Sequence, residues 1–555
     1  MVGQDVPGAI EPMLRDGGED APLVGDAVIH HHIEGRDSVS GYKKELLRVD
    51  LVDIAHFAAG DLLQTGRGVV APEVDGFVGH GSAGGYRDAW VEEYVRVAER
   101  LQSRAMESVP SESSCTGMTV LPGWAVSGTM HAPGSKSLAQ RCLLAAFLAE
   151  GQTRVRGVPA CQDVEGLLGA LRGLAGGGWG QDGTYEGGAW TSMGPEKQHT
   201  AVRVGESGTC ARLLTACVAL GGLGRGPVHI IPEGSLGSRT SPALVEALKK
   251  AGACISSGSE NGAAPDSGWP MIVIPVDCPA KLTLLNPSSS QEVSALLFAL
   301  AAKGGGILSV EGVLPSEPYI RMTQSVLGEF GVEVAEVGGQ FTVAGTMRAP
   351  AHEIVVEPDA SAAAVLLAAG CLSGGTVQVP GLTSRSVQGD LRIIEHLRAF
   401  GCRGEMEAQG LRASGMPCRG AEIDLVGEPD LAPVLAVVGA MACYHSGEPA
   451  LLKGLGTLEG KESPRLSGLA NTLGRMGWEV RTGPDWLGVD AAPVRAVDVA
   501  SPMALDPEGD HRMAFAYALL GLGFSGVRIT GAACVGKSYP NFWTDLVGAG
   551  ANIQG

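Results

Sequence analysis

At 555 residues the chain is long for one domain and suits two or three, with length enough to bury large cores. Hydrophobic residues make up 45% of it, charged residues only 18%, and there are 83 glycines, a globular composition dense in turns. The formal net charge of −19 argues against a non-specific nucleic-acid or anionic-membrane role, so any anionic substrate must be held by a local cluster of cations working against the overall field.

The 12 cysteines are scattered singly, as at Cys142, Cys161, Cys210, Cys402 and Cys534, without C-x-x-C spacing. That pattern suits a reduced cytoplasm better than a disulfide framework or a zinc site. The opening MVGQDVPG lacks a basic segment followed by an apolar one, so no signal peptide is expected.

Residues 1–115 differ from everything after them and read as an N-terminal extension of unassigned function, partly disordered. Residues 2–26 are rich in Gly, Pro and acid and read as flexible. Residues 45–63 and 89–106 have helical spacing, and 108–116, SVPSESSCT, reads as a linker. His30, His31 and His32 have metal-ligand chemistry, but no second ligand cluster accompanies them.

From Met118 onward an internal repeat sets the architecture. Each unit has an Ala/Leu-rich helix, a glycine, a short β-like run, a Gly/Pro loop and a second amphipathic helix. The six first helices are expected at 142–149, 212–220, 295–302, 362–371, 431–443 and 513–522. The apolar run 431–443 is too short to span a bilayer and reads as a buried helix. The second helices end in ALRGLAG, ALKKAGACI, VLGEFGVEV, HLRAFGCRG, TLGRMGWEV and DLVGAGANI. Six copies of one α/β unit, spaced by about 70 to 80 residues, argue for two domains of three units each. The loops GSLGSRTSP, LPSEPY, TLEGKESPR and ACVGKSYPN carry the unexplained charges in unit after unit, and equivalent loops would converge on one cleft.

The stretch HAPGSKSLAQR, ending at Arg141, anchors the chemistry. It turns on Pro133 and Gly134 and sets Ser135, Lys136 and Ser137 before an apolar helical run. Free N–H groups at a helix start, a nearby lysine and Arg141 one turn on can converge on one phosphate or carboxylate. The plainer reading of this stretch alone is a capped helix with two surface cations.

Taken together, these stretches resemble the EPSP synthase family of enolpyruvyl transferases, over roughly the last four-fifths of the chain. The resemblance implies an α/β fold of two domains, each of three βαβαββ units with pseudo-threefold symmetry, hinged about an interdomain cleft. It implies one domain at 134–356 and the other at 116–133 plus 357–555. PGSKS with Arg141 would place Lys136 at the phosphoenolpyruvate (PEP) end and Ser137 and Arg141 around shikimate 3-phosphate. In VGESGTCAR, Gly208 is where the backbone would close on PEP, and a side chain there would intrude and confer resistance to the PEP-like herbicide glyphosate. GSRTSP puts Arg239 in a PEP-arginine position. SSSQ puts Ser289, Ser290 and Gln291 in the shikimate-phosphate cradle, with Gln291 also reaching PEP, and SEPY adds Ser316 and Tyr319. In GEPDLAP, Asp430 matches the aspartate at the shikimate 5-hydroxyl. KESPR supplies Lys461 for shikimate 3-phosphate, Glu462 for proton traffic at the PEP methylene and Arg465 for PEP, while DHRM adds Asp510, His511 and Arg512, and GKSYPN adds Lys537. Arg512 and Lys537 would bind PEP, with Lys136 or Lys537 assisting catalysis. These polar residues are expected in loops that a packing account does not need. Singly each has a plain alternative: Asp430 as a helix N-cap, Ser289 and Ser290 as turn formers, Lys537 as a solvated lysine.

The implied substrates are PEP and shikimate 3-phosphate, with no metal or organic cofactor, no nucleic acid and no membrane, in a cytoplasmic monomer whose two domains close on substrate. Four positions depart from the commonest pattern: Glu206 where asparagine is usual, Thr240 for proline, Thr457 for asparagine or histidine, and Pro464 for aspartate. An acid near PEP is unfavourable unless it pairs with a cation or points away. The nearest rival is UDP-N-acetylglucosamine enolpyruvyl transferase, whose pattern has Lys-Asn in the first motif and a loop cysteine, whereas here Lys136-Ser137 stands and 233–242 lacks cysteine. A non-catalytic metabolite-binding homologue is the other alternative, and the intact acid–base set counts against it.

Overall fold

The computed structural model describes residues 117–555 apart from 176–183, 188–199, 221–222, 224–225, 258–266, 278–280, 315 and 494–500. The helices expected at 45–63 and 89–106, the 108–116 linker and the triple histidine therefore lie outside the described residues.

Six small sheets carry the described strands. One unit sets the pattern: strand Lys281–Leu285, helix Ser290–Ala302, strand Gly305–Glu311, helix Glu317–Glu329, then the hairpin strands Val332–Val337 and Gln340–Gly345. Its first two strands pair in parallel, and the second pairs antiparallel with the far arm of the hairpin. The same parallel-then-antiparallel order recurs in Glu422–Asp424, Ala450–Lys453, Trp486–Ala491 and Glu479–Thr482, and in Thr200–Arg203, Val228–Ile231, Met271–Ile274 and Cys254–Ser257. This is the βαβαββ unit the resemblance implies. A parallel strand pair needs a crossover, and the Ala/Leu-rich helix supplies it.

Three sheets borrow strands across the chain, one of them by the parallel pairing of Gly128–Thr129 with Thr376–Pro380. Strand Ile354–Val355 completes the sheet of Gly151–Arg156, and Gly117–Leu121 inserts between Val527–Thr530 and Asn552–Gln554. The buried apolar residues form two separate cores, one from Leu138 to Val356 and one joining Met118–Met130 to Ala360–Ala551. Two chain segments connect the resulting lobes and run antiparallel, Ser135 N–H donating to Glu357 O at 2.9 Å and Asp359 N–H to Pro133 O at 2.7 Å. A Cβ on Gly134 would stand 1.9 Å from the Gly157 carbonyl oxygen, so only glycine fits at this crossing.

The six first helices are Lys136–Leu148, Gly208–Ala219, Ser290–Ala302, Ala360–Leu372, Ala432–Ser446 and His511–Gly523. They are apolar almost all round because each is buried at the centre of its lobe, where small alanines allow close packing. Five of them begin earlier than apolar periodicity indicates, since their first turns are polar. Four have a side chain capping the helix two or three residues on: Ser135, Ser207, Asp359 and Asp510. Ser289 goes further and forms a capping box with Glu292. The helix at Ala432 follows a 3-10 turn, Pro429–Leu431, with no side-chain cap. Among the described residues no helix is long and apolar enough to cross a membrane.

Candidate active site

The polar first turns explain the site, for they open onto one cleft of about 820 Å³ between the lobes. Lys136, Ser137, Gly208, Ser290, Gln291, Arg465 and Arg512 all lie in helical first turns, so the expectation that the polar groups stand in loops is corrected for them. Helix N-termini bring unpaired N–H groups and a positive field to the place where anions would sit. Of the residues named from the sequence, Lys136, Ser137, Arg141, Gly208, Arg239, Ser289, Ser290, Gln291, Ser316, Tyr319, Asp430, Lys461, Glu462, Arg465 and Arg512 line the cleft. Lys537 does not line it.

One wall holds two buried arginines with neutral partners. Arg141 donates to Thr323 Oγ1 at 2.8 Å, to Ser137 O at 2.8 Å and to Ser294 Oγ at 3.3 Å. Arg212 donates to Ser241 Oγ at 2.6 Å, Gln291 Oε1 at 2.9 Å and Gly208 O at 3.1 Å. Burial lowers both to about 10, so each stays cationic at neutral pH. Among the described residues no hydrogen bond to a carboxylate offsets either charge, which leaves them suited to an incoming anion. Ser316, which lines the cleft, adopts the left-handed region, φ 50°, a conformation that costs energy in a non-glycine residue.

The facing wall is a knot of charge around Arg465, which is 1% exposed. Its guanidinium donates to Asp510 Oδ2 at 2.7 Å, to Asp430 Oδ1 at 3.0 Å and to Glu462 Oε2. Asp430 also receives Lys461 at 3.3 Å and Arg512 at 3.1 Å. Burial alone would raise the Asp430 carboxyl, but Arg512, Lys461 and Arg465 outweigh it and hold the group well below the usual carboxylate range. Burial likewise opposes ionisation of Glu462, and Arg465, Arg239 and Lys136 overcome it. Asp430 is therefore no helix cap, and both carboxylates are charged.

Among the described residues three side-chain polar contacts join the two lobes. Lys136 Nζ, 2.8 Å from Asp163 Oδ2, lies 3.5 Å from His511 Nε2. Arg239 Nη1 lies 3.9 Å from Glu462 Oε1. Lys537, 5% exposed and so no solvated surface lysine, donates to Glu206 Oε2 and to Gly509 O, both at 2.7 Å. Burial works against the charged Lys136, yet Asp163 and Glu462 raise its pKa above the ordinary value, so it holds its proton. Burial and the neighbouring Lys136 push His511 well down, leaving a neutral ring.

Sequence reasoning passed over Arg212 and Asp163. Arg212 follows Gly208 by one helical turn, a spacing that puts both on one face, and Asp163 carries no local signal because only the fold brings it to Lys136. Of the departures, Glu206 pairs with Lys537, Thr240 offers its carbonyl to Arg212 at 3.3 Å, and Pro464 opens the helix Arg465–Arg475. Thr457 lines the cleft with a buried hydroxyl that has no partner among the described residues.

Residues 120–546 match the family model of EPSP synthase (3-phosphoshikimate 1-carboxyvinyltransferase). The chain is 35% identical over 438 residues to a 3-phosphoshikimate 1-carboxyvinyltransferase of Ralstonia pickettii, covering 76% of this chain and 96% of that one. It is 36% identical over 430 residues to the same enzyme of Laribacter hongkongensis, covering 75% and 95%. Among solved structures, EPSP synthase from Acinetobacter baumannii superposes with a TM-score of 0.61 at 22% identity, over 79% of this chain and 99% of that one.

Proposed function

The chain belongs to the EPSP synthase family, and from that premise we propose how its cleft transfers the carboxyvinyl group of PEP to the 5-hydroxyl of shikimate 3-phosphate. It is a transferase of aromatic amino acid biosynthesis, giving 5-enolpyruvylshikimate 3-phosphate and phosphate. The observation that carries the mechanism is the pair of ionised carboxylates, Asp430 and Glu462, held by one buried guanidinium and facing Lys136 and Arg239 across the cleft.

Shikimate 3-phosphate is held by Ser137, Arg141, Ser289, Ser290, Gln291, Ser316, Tyr319 and Lys461. PEP lies against Lys136, Gly208, Arg239, Gln291, Arg465 and Arg512, and engages Lys537 once that lysine turns from Glu206 toward the cleft. Two multiply charged anions in a drying cleft repel strongly, and the arginines with neutral partners offset that repulsion. In the addition step C3 of PEP gains a proton by way of Glu462 and Lys136, the 5-oxygen bonds to C2, and Asp430 takes the hydroxyl proton. Elimination removes a proton from C3, breaks the C2–O bond to phosphate, and passes the hydroxyl proton to the leaving group. Asp430 is a weak base while three cations surround it. Substrate anions that draw Lys461 and Arg512 away raise its basicity at the moment it is needed. The ten described cysteines are all free, in keeping with a reduced cytoplasm, and the enzyme acts as a monomer.

Carrying out the reaction in D2O tests the sequence of steps. Protonation at C3 makes a methyl group that loses either isotope, so deuterium is expected in the vinyl methylene of the product. Product without any deuterium would contradict addition followed by elimination.

A Cβ on Gly208 would stand 2.6 Å from Arg212 Nη1 and 3.2 Å from Arg239 Nη1. Gly208→Ala is therefore expected to raise KM for PEP by about tenfold or more while the fold is kept. Steady-state kinetics with PEP varied checks it, and an unchanged KM would remove Gly208 from the PEP wall.

A further inference from the structure

We propose that Glu206 is a built-in competitor for Lys537, an internal anion that occupies the lysine PEP would otherwise engage and so sets the affinity for PEP. The inference rests on the functional reading above.

Glu206 belongs to one lobe and Lys537 to the other, and their 2.7 Å contact is the shortest of the three side-chain contacts that join the lobes among the described residues. Every other cation named for the two substrates lines the cleft, whereas Lys537 is turned onto Glu206 and the Gly509 carbonyl. The carboxylate has a seat of its own. Ser235 donates to Glu206 Oε2 from its backbone N–H at 3.2 Å and from its hydroxyl at 3.0 Å. Gly234 has φ +47°, and a Cβ there would lie 2.4 Å from the Glu206 carboxyl, so the loop makes room for the acid by lacking a side chain. The Ser235 hydroxyl also accepts from Arg239 Nη2 at 2.8 Å, which ties a second PEP cation to the same seat.

A carboxylate this close cancels much of the lysine's charge toward any second anion. PEP must displace Glu206 from Lys537 or bind with one cation fewer, and either outcome weakens its binding relative to a neutral residue at 206. A neutral side chain of the same length keeps the Ser235 contact through its carbonyl and releases the lysine.

Glu206→Gln is expected to lower KM for PEP by roughly threefold to tenfold, with kcat within about twofold, and to strengthen inhibition by inorganic phosphate in parallel. Glu206→Asn, which shortens as well as neutralises, is expected to act in the same direction, and thermal melts of both keep folding in view. Turnover by the wild-type chain with an unmoved or raised KM in both variants overturns this inference alone and makes the pair a strut between the lobes. Silence of the wild-type chain overturns the functional reading instead.

Discussion

Replacing Glu462 with glutamine is expected to lower kcat by about 10²- to 10⁴-fold while leaving the affinity for shikimate 3-phosphate within a few-fold. The geometry separates the two effects. Glu462 accepts from Arg465 and approaches Arg239, and it makes no hydrogen bond to Arg141, Ser289, Ser290 or Tyr319, the residues assigned to the other substrate. Glutamine preserves the shape and can still accept from Arg465, so the local fold is kept. What it lacks is a carboxylate able to pass a proton to and from C3. Fluorescence or calorimetric titration with shikimate 3-phosphate, beside single-turnover kinetics, checks the split. Normal turnover would take Glu462 out of the proton path.

The second large effect is on stability. Arg465→Ala would leave Asp510, which is 0% exposed, without its cation and strip one from both Asp430 and Glu462. Removing one partner of a buried ion cluster costs about 3–5 kcal/mol, since the remaining charges stay desolvated. The pH dependence gives the cause away. In the wild-type chain Asp430 and Glu462 are held below their ordinary values of 3.8 and 4.5. Their contribution is present above those values and is lost as pH falls through the lower folded ones. In the variant each carboxyl loses one of its cations, so the folded values move up toward the ordinary ones. Less of that contribution is then left to lose, so the variant's deficit is largest near neutral pH and narrows as pH falls through about 4 toward 3. Urea melts of both proteins at the two pH values check this, and a deficit independent of pH would mean that lost packing, and not charge, is the cause.

Much of this was legible in the residues. The order of helix, glycine, strand and loop recurs because each unit must bury an apolar helix beneath its own small sheet, and that requirement writes the same pattern six times. The motifs at Lys136, Gln291, Glu462 and Arg512 could be read because their polar residues interrupt runs otherwise explained by packing. Apolar periodicity missed the helix starts for the same reason: the first turns that carry Ser137, Gly208 and Ser290 are polar because they face the cleft, so five of the six helices begin before their apolar faces do. Asp163 was beyond reach, since its role depends on a contact that only the folded chain makes. Glu206 could be flagged as an acid near the PEP end, but its partner lies 331 residues away in the other lobe, a distance no local pattern spans.

The most direct test of the account is phosphate release by the purified chain, measured with PEP plus shikimate 3-phosphate and, in parallel, with PEP plus UDP-N-acetylglucosamine. Release only in the first mixture is the predicted result. Release only in the second, or in neither, would contradict the assignment of this cleft to enolpyruvyl transfer onto shikimate 3-phosphate.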